Sequence, residues 1–202
     1  MEPFSEDVVR VLATQMVSGV RHMHSLGLIH FDLKLNNFMA DGALELINAA
    51  AFIKVIDFGW TESVDHSKDG LFTWKERGAL EYWAPEIHNK LPHRGDKADV
   101  FALGKCLFEL VVGFSPFKLA TLKDVYYRNL VKDSSAYWAF FDPNNFLSDD
   151  FKHLMTGMLH EDPTIRFTLD GVSNHPWFLG LRATSEELRE ELLRRRKPAD
   201  NN

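Results

Sequence analysis

Asp32, Lys34 and Asn37 sit within one short run, His30-Phe31-Asp32-Leu33-Lys34-Leu35-Asn36-Asn37. A further aspartate, Asp57, opens an Asp-Phe-Gly triplet downstream of it. Charged and amide groups this dense mark either a solvated turn or a place where phosphate and a metal ion are handled. A carboxylate and an amide oxygen suit a hard cation such as Mg²⁺, and an ammonium suits a phosphate. Taken alone, an aspartate is more often a cap and a lysine more often a solvated surface group, so residue types leave both readings open.

The elements that must hold these residues can be read from periodicity. Val8, Val9, Leu12, Met16, Val20 and Met23 recur at helical spacing behind Ser5, Glu6 and Asp7, which read as an N-cap and an acidic first turn. Gly27 ends that helix. Leu28 and Ile29 predict a very short strand, Phe38 and Met39 a second, and residues 52–56 a third. Asp41-Gly42 signals a turn, and residues 43–50 look like a loop insertion. Residues 57–90 are irregular, broken by Gly59, Gly70, Gly78 and Pro85, and a loop that long is usually functional or disordered. Residues 98–112 are apolar almost all round, which predicts a helix in the middle of a domain. One aromatic-rich helical stretch is expected over 121–141, then helices over 151–159 and 168–174. Thr184 with Glu187 predicts a capping box for a last helix with Leu188 and Leu192 on one face. Arg194 to the lysine at 197 stand at its negative end.

Composition excludes several classes. With 45% apolar residues, 26% charged residues and a net charge of -6 over 202 residues, the chain reads as a globular protein able to bury a core. The acidic balance argues against nucleic-acid partners, which need excess Lys and Arg. One cysteine, Cys106, cannot close an internal disulfide, which suggests a reducing compartment. No membrane span or signal peptide is evident. A cytoplasmic, or nuclear, location is the expectation.

Order and spacing carry more than any triplet. After the His30–Asn37 run and Asp57-Phe58-Gly59 come Ala84-Pro85-Glu86, Asp99-Val100-Phe101-Ala102-Leu103-Gly104, Asp162-Pro163-Thr164-Ile165-Arg166 and His175-Pro176-Trp177-Phe178. This series resembles the large C-terminal lobe of a eukaryotic protein kinase of serine/threonine type, from Pro3 to Phe178. The resemblance implies a mainly α fold with a few short β-strands, lacking the β-rich N-lobe. It divides the chain into a partial kinase domain over 1–180 and a helix and tail over 181–202. It also implies ATP and Mg²⁺ as cofactors and a protein as substrate. Asp32 would orient and deprotonate the substrate hydroxyl, and Lys34 would neutralise the transferring phosphoryl. Asn37 and Asp57 would ligate Mg²⁺, and Met39 would form the apolar floor under adenine, with Cys106 and Leu110 continuing that column inward. Asp99 is expected to hydrogen-bond the backbone of the catalytic loop. Glu86 and Arg166 are expected to form a buried ion pair.

Four departures qualify the resemblance. No Gly-rich phosphate loop, strand lysine or partner glutamate precedes His30, so the 202 residues by themselves are expected to bind Mg-ATP very weakly. A partner that supplies or covers that face is then expected. Phe31 stands where most kinases carry an arginine that reads an activation-loop phosphate, so Thr61, Ser63, Ser67 and Thr73 are not expected to switch the protein. Ala79 replaces a threonine whose hydroxyl would bridge Asp32 and Lys34. The 37–57 connection is long. The first three keep a second reading alive, a one-lobe pseudokinase acting as a binding module, with an apolar patch exposed on the face around His30, Met39 and Phe58. Trp60 after the Asp-Phe-Gly triplet is similar to aurora-type kinases, at one residue only. The histidines lack zinc-ligand spacing and are expected to be packed or solvated.

Overall fold

The computed structural model describes residues 1–41 and 52–195. The turn expected at Asp41-Gly42, the insertion over 43–50 and the lysine at 197 fall outside the described residues or at their edge. Within them, eight α-helices and two small two-stranded sheets form one body.

Helix α1, Glu6–Ser25, buries the predicted face of Val8, Val9, Leu12, Met16, Val20 and Met23. Ser5 is extended at the N-cap, yet its side chain makes no capping bond. Glu6 is occupied elsewhere: it accepts from the Ser148 amide and hydroxyl, from Trp177 Nε1 and from Arg10. The Leu26 amide bonds back into the last turn, and Gly27 at φ +70° lets the chain leave.

Strand β1, Leu28–Ile29, and strand β2, Phe38–Asp41, lie where predicted. Strand β3, Phe52–Val55, pairs antiparallel with β2, placing Met39 opposite Lys54. The partner of β1 is a strand the sequence did not reveal, β4 at Glu62–Ser63, with Ile29 opposite Glu62. So the irregular region begins with a pairing that ties it to the loop carrying Asp32. A short helix α2, Pro85–His88, closes that region, its Pro at the first turn.

Helix α3, Gly95–Val112, begins three residues before the predicted start, and Gly113 at φ +91° ends it. It runs through the centre against α1, β1 and α6, Asp149–Met158, and is buried on nearly every side. Its buried lysines survive burial by finding acceptors. Lys97 Nζ donates to the Arg166 carbonyl at 2.6 Å, and Lys105 Nζ donates to the carbonyls of Glu81 and Phe117. Burial pushes the Lys105 ammonium down to about 8, against the pull of Glu109. Cys106 and Leu110 are buried as expected.

The region expected to be helical over 121–141 holds two helices, α4 (Val125–Lys132) and α5 (Ser134–Phe141). Asp133 ends the first and caps the second by accepting from the Ala136 amide, so a polar residue with its own backbone bond outcompetes continuation. Ser148 caps α6, and Thr168 caps α7, Leu169–Ser173. The predicted capping box opens α8, Ser185–Arg195: the Thr184 amide donates to Glu187 at 2.7 Å, and the Glu187 amide donates to Thr184 Oγ1 at 3.2 Å. Leu188 is buried, and Arg195 lies over the Phe4 ring. The fold is mainly α, and no described helix is long and apolar enough to cross a membrane.

Candidate active site

The loop between β1 and β2 is held from below. Asp99, on α3, is buried; its Oδ1 accepts from the Phe31 amide at 2.9 Å and its Oδ2 from the His30 amide at 2.9 Å. His24 Nε2, at the end of α1, shares Oδ2 at 2.8 Å. This histidine is packed, with its side chain 13% exposed, and is a third partner of the aspartate. The two backbone bonds hold Phe31 in a left-handed conformation, φ +61°, which a bulky residue seldom adopts unless its surroundings impose it.

His30 ties the loop to the strand end that precedes Asp57. Its Nδ1 accepts from the Asp32 amide at 3.2 Å and its Nε2 meets the Ile56 carbonyl at 3.1 Å. One ring nitrogen accepts and the other faces an acceptor, so the bonds select the tautomer protonated at Nε2. The ring is fully buried, as a packing residue, and the apolar surface expected on this face is exposed at Met39 and Phe58.

Asp32 is buried, with its carboxylate gripped from two sides. Oδ2 accepts from Lys34 Nζ at 2.8 Å and from Asn37 Nδ2 at 3.3 Å. Oδ1 accepts from the Ala79 amide at 2.7 Å. The absent threonine hydroxyl is therefore answered in part by backbone. An ionised carboxylate offers about four lone-pair sites, so one more donor, such as a substrate hydroxyl, can still be received. The hydrogen bond to Asp32 raises the Lys34 pKa, with Asp57 and Glu81 adding their charges against desolvation, so the ammonium stays protonated at neutral pH.

Asn37, in a turn of 3-10 helix, is also buried and spends Nδ2 on the Asp32 carbonyl at 2.7 Å. That spends its amide nitrogen and leaves the amide oxygen as the atom that could face a cation. Asp57 adopts φ +62° and is exposed, and its Oδ1 accepts from the Gly59 amide at 3.3 Å. A free carboxylate and an amide oxygen are hard donors that fit Mg²⁺, which takes few protein ligands and completes its shell with phosphate and water. No group of three or more His, Cys, Asp or Glu side chains that could hold a metal occurs among the described residues. Met39 and Phe58 are 53% and 55% exposed, and Phe58 tilts against His30 at 5.8 Å.

Structure thus gathers Asp32, Lys34 and Asn37 into one cluster. Asp57 and Met39 flank it on neighbouring strand ends. The Ala79 amide and His24 escaped sequence reasoning, since a backbone donor has no residue-type signature and His24 lies far from Asp99 in sequence. The expected Glu86–Arg166 pair is present, with both guanidinium nitrogens Nη1 and Nη2 on the carboxylate at 2.7 and 2.8 Å.

A helical lobe with this loop and this base is the architecture of a kinase large lobe. Comparison with known proteins agrees. The family model for the protein kinase domain matches residues 1–178. The serine/threonine-protein kinase SRK2C of Arabidopsis thaliana is 33% identical over 177 residues, 87% of this chain and 49% of that protein. The serine/threonine-protein kinase SAPK1 of Oryza sativa subsp. japonica is 32% identical over 200 residues, 98% of this chain and 55% of that protein. An aurora kinase of Dictyostelium discoideum is 33% identical over 174 residues, 86% and 40% respectively. The chain belongs to the protein kinase family, and it spans about half the length of the curated relatives it matches.

Proposed function

We propose that these residues form the large lobe of a serine/threonine protein kinase, which transfers the γ-phosphoryl of ATP to hydroxyls of a protein substrate. The observation that carries the reading is the Asp32 carboxylate, held by Lys34, Asn37 and the Ala79 amide with acceptor capacity to spare. In this reading Asp32 receives the hydroxyl proton and Lys34 lies against the transferring phosphoryl. Asn37 and Asp57 hold Mg²⁺, which when bound neutralises phosphate charge. Met39 supports the adenine ring. Phosphoryl transfer rests on positioning and charge more than covalent help, and the cluster offers both.

The test is Mg²⁺-dependent transfer of labelled γ-phosphate to protein serine or threonine by the longest natural product that contains residues 1–202. Asp32→Asn keeps the shape and removes the base, and should lower kcat at least about a hundredfold. No transfer by the parent, or an unaffected Asp32→Asn variant, would refute the reading.

The 202 residues by themselves give the nucleotide a floor only, with Met39 and Phe58 more than half exposed. Water in a half-open site weakens each electrostatic contact. Mg-ATP should therefore leave the melting temperature of the isolated chain almost unchanged, and a micromolar affinity by calorimetry would contradict this. A second reading, a binding module, draws on the exposed apolar side chains Met39, Phe52, Phe58 and Trp60, which a covering partner would bury. Loss of transfer together with a partner that buries these side chains would favour it.

A further inference from the structure

The segment between β4 and α2 lies across the catalytic loop, and its anchor is a buried arginine that the proposed chemistry does not use. Arg77 is only 4% exposed. Its guanidinium carbon stands 4.0 Å from the centre of the Phe31 ring and 5.9 Å from that of Phe72. Its Nη1 lies 2.8 Å from Glu62 on β4, and its Nη2 donates to the Thr73 carbonyl at 3.1 Å. Lys75 Nζ reaches the same Glu62 oxygen at 3.1 Å. Burial opposes ionisation of Glu62, but the Lys75 bond and the Arg77 charge outweigh it and hold the carboxyl below its usual range. Phe31 completes the site edge-on to Phe72 at 4.9 Å and to His93 at 5.9 Å. Space for that ring depends on Gly95, where a Cβ would come 2.8 Å from Phe31 Cζ.

The next two residues connect this site to the carboxylate. Gly78 turns at φ +68°, and a Cβ there would lie 2.4 Å from the Phe31 carbonyl and 2.9 Å from Asp32 Oδ1. The following amide, that of Ala79, is the donor to Asp32 Oδ1. A displacement of Arg77 therefore pulls directly on the peptide that orients Asp32.

We propose that Glu62, Arg77 and Phe31 form a clamp that needs no phosphate, and that Arg77 is a positioning residue which sets the Asp32 carboxylate through the Ala79 amide. Its value for catalysis rests on the reading of Asp32 given above; the clamp itself does not. The aromatic face supplies cation–π attraction in a desolvated setting, and Glu62 supplies the counter-charge a phosphate would otherwise bring.

The test is hydrogen exchange on the bacterially expressed chain, shown by mass spectrometry to carry no phosphate. In Arg77→Ala the Ala79 amide should exchange about tenfold faster than in the parent, while α3 amides such as that of Leu103 keep their rates. Arg77→Lys, which keeps charge but loses the planar stack, should fall between. Glu62→Ala should also accelerate Ala79, and Glu62→Ala/Arg77→Ala should be no worse than Arg77→Ala alone, because the two act as one unit. Parent-like Ala79 exchange in Arg77→Ala overturns the proposal. So does Ala79 protection that arises only once Thr73 or Ser67 is phosphorylated. These rates need no phosphoryl transfer, so a failure of the Asp32 reading appears in the transfer assay and a failure of the clamp appears here.

Discussion

Glu86→Gln is expected to destabilise the chain by about 3–5 kcal/mol in urea unfolding at neutral pH. Arg166 is fully buried, and its guanidinium donates to Glu86 twice, to the Lys97 carbonyl at 2.8 Å, to the His160 carbonyl at 3.0 Å and to the Glu161 carbonyl at 3.4 Å. Its guanidinium also lies 4.9 Å from the Phe101 ring centre. Removing the counter-charge strands a cation that cannot shed its proton. The reverse substitution, Arg166→Met, strands the Glu86 carboxylate in the same buried site and should cost a similar amount. A double variant Glu86→Gln/Arg166→Met, with no buried charge left, should recover a large part of the loss. A double variant no more stable than the sum of the two single losses predicts would show that the two groups do not act as a pair, despite the 6% exposure of Glu86.

How far this was visible beforehand follows from the range of the forces involved. Helix α1 and helix α3 were legible because burial of one face, or of every face, leaves a period or an unbroken apolar run. The Glu86–Arg166 pair and the Asp99 contacts came from the kinase resemblance, and both are present. What stayed hidden is short or distant. A two-residue strand such as β4 has no period, and only its partner β1 defines it. Arg77 reads in the sequence as one more charge in a polar loop, yet it is buried because Phe31, Phe72 and Glu62 converge on it from three separate stretches. Phe31 itself was legible as a departure, while the use made of it was not: the ring that cannot bind phosphate binds a guanidinium instead. Lys105 conflicts with the apolar helix around it, and only the carbonyls of Glu81 and Phe117, brought in by two other loops, resolve the conflict.

Asp99→Ala should prove about as damaging as loss of the ion pair, at roughly 3–6 kcal/mol, because it removes the acceptor of two buried backbone amides at once. Each bond from His30 and Phe31 is charge-assisted and 2.9 Å long. Neither amide has another acceptor within the loop, and Phe31 at φ +61° holds a conformation that costs free energy unless Asp99 rewards it. Without that carboxylate the loop should relax toward an ordinary backbone and carry Asp32 away from the Ala79 amide. Asp99→Asn separates charge from shape. Its single amide oxygen can serve one of the two donors, while its NH₂ faces the other, so it should recover less than half of the loss. His24→Ala supplies the scale for the third partner. The His24 side chain is 13% exposed, so water can replace part of what it gives, and about 1 kcal/mol is expected. Amide exchange at His30 and Phe31, read beside unfolding, would locate the effect. An Asp99→Ala protein within 1 kcal/mol of the parent would mean that α3 does not hold the catalytic loop, and that the shape of the loop is set by His30 and Ile56 from the other side.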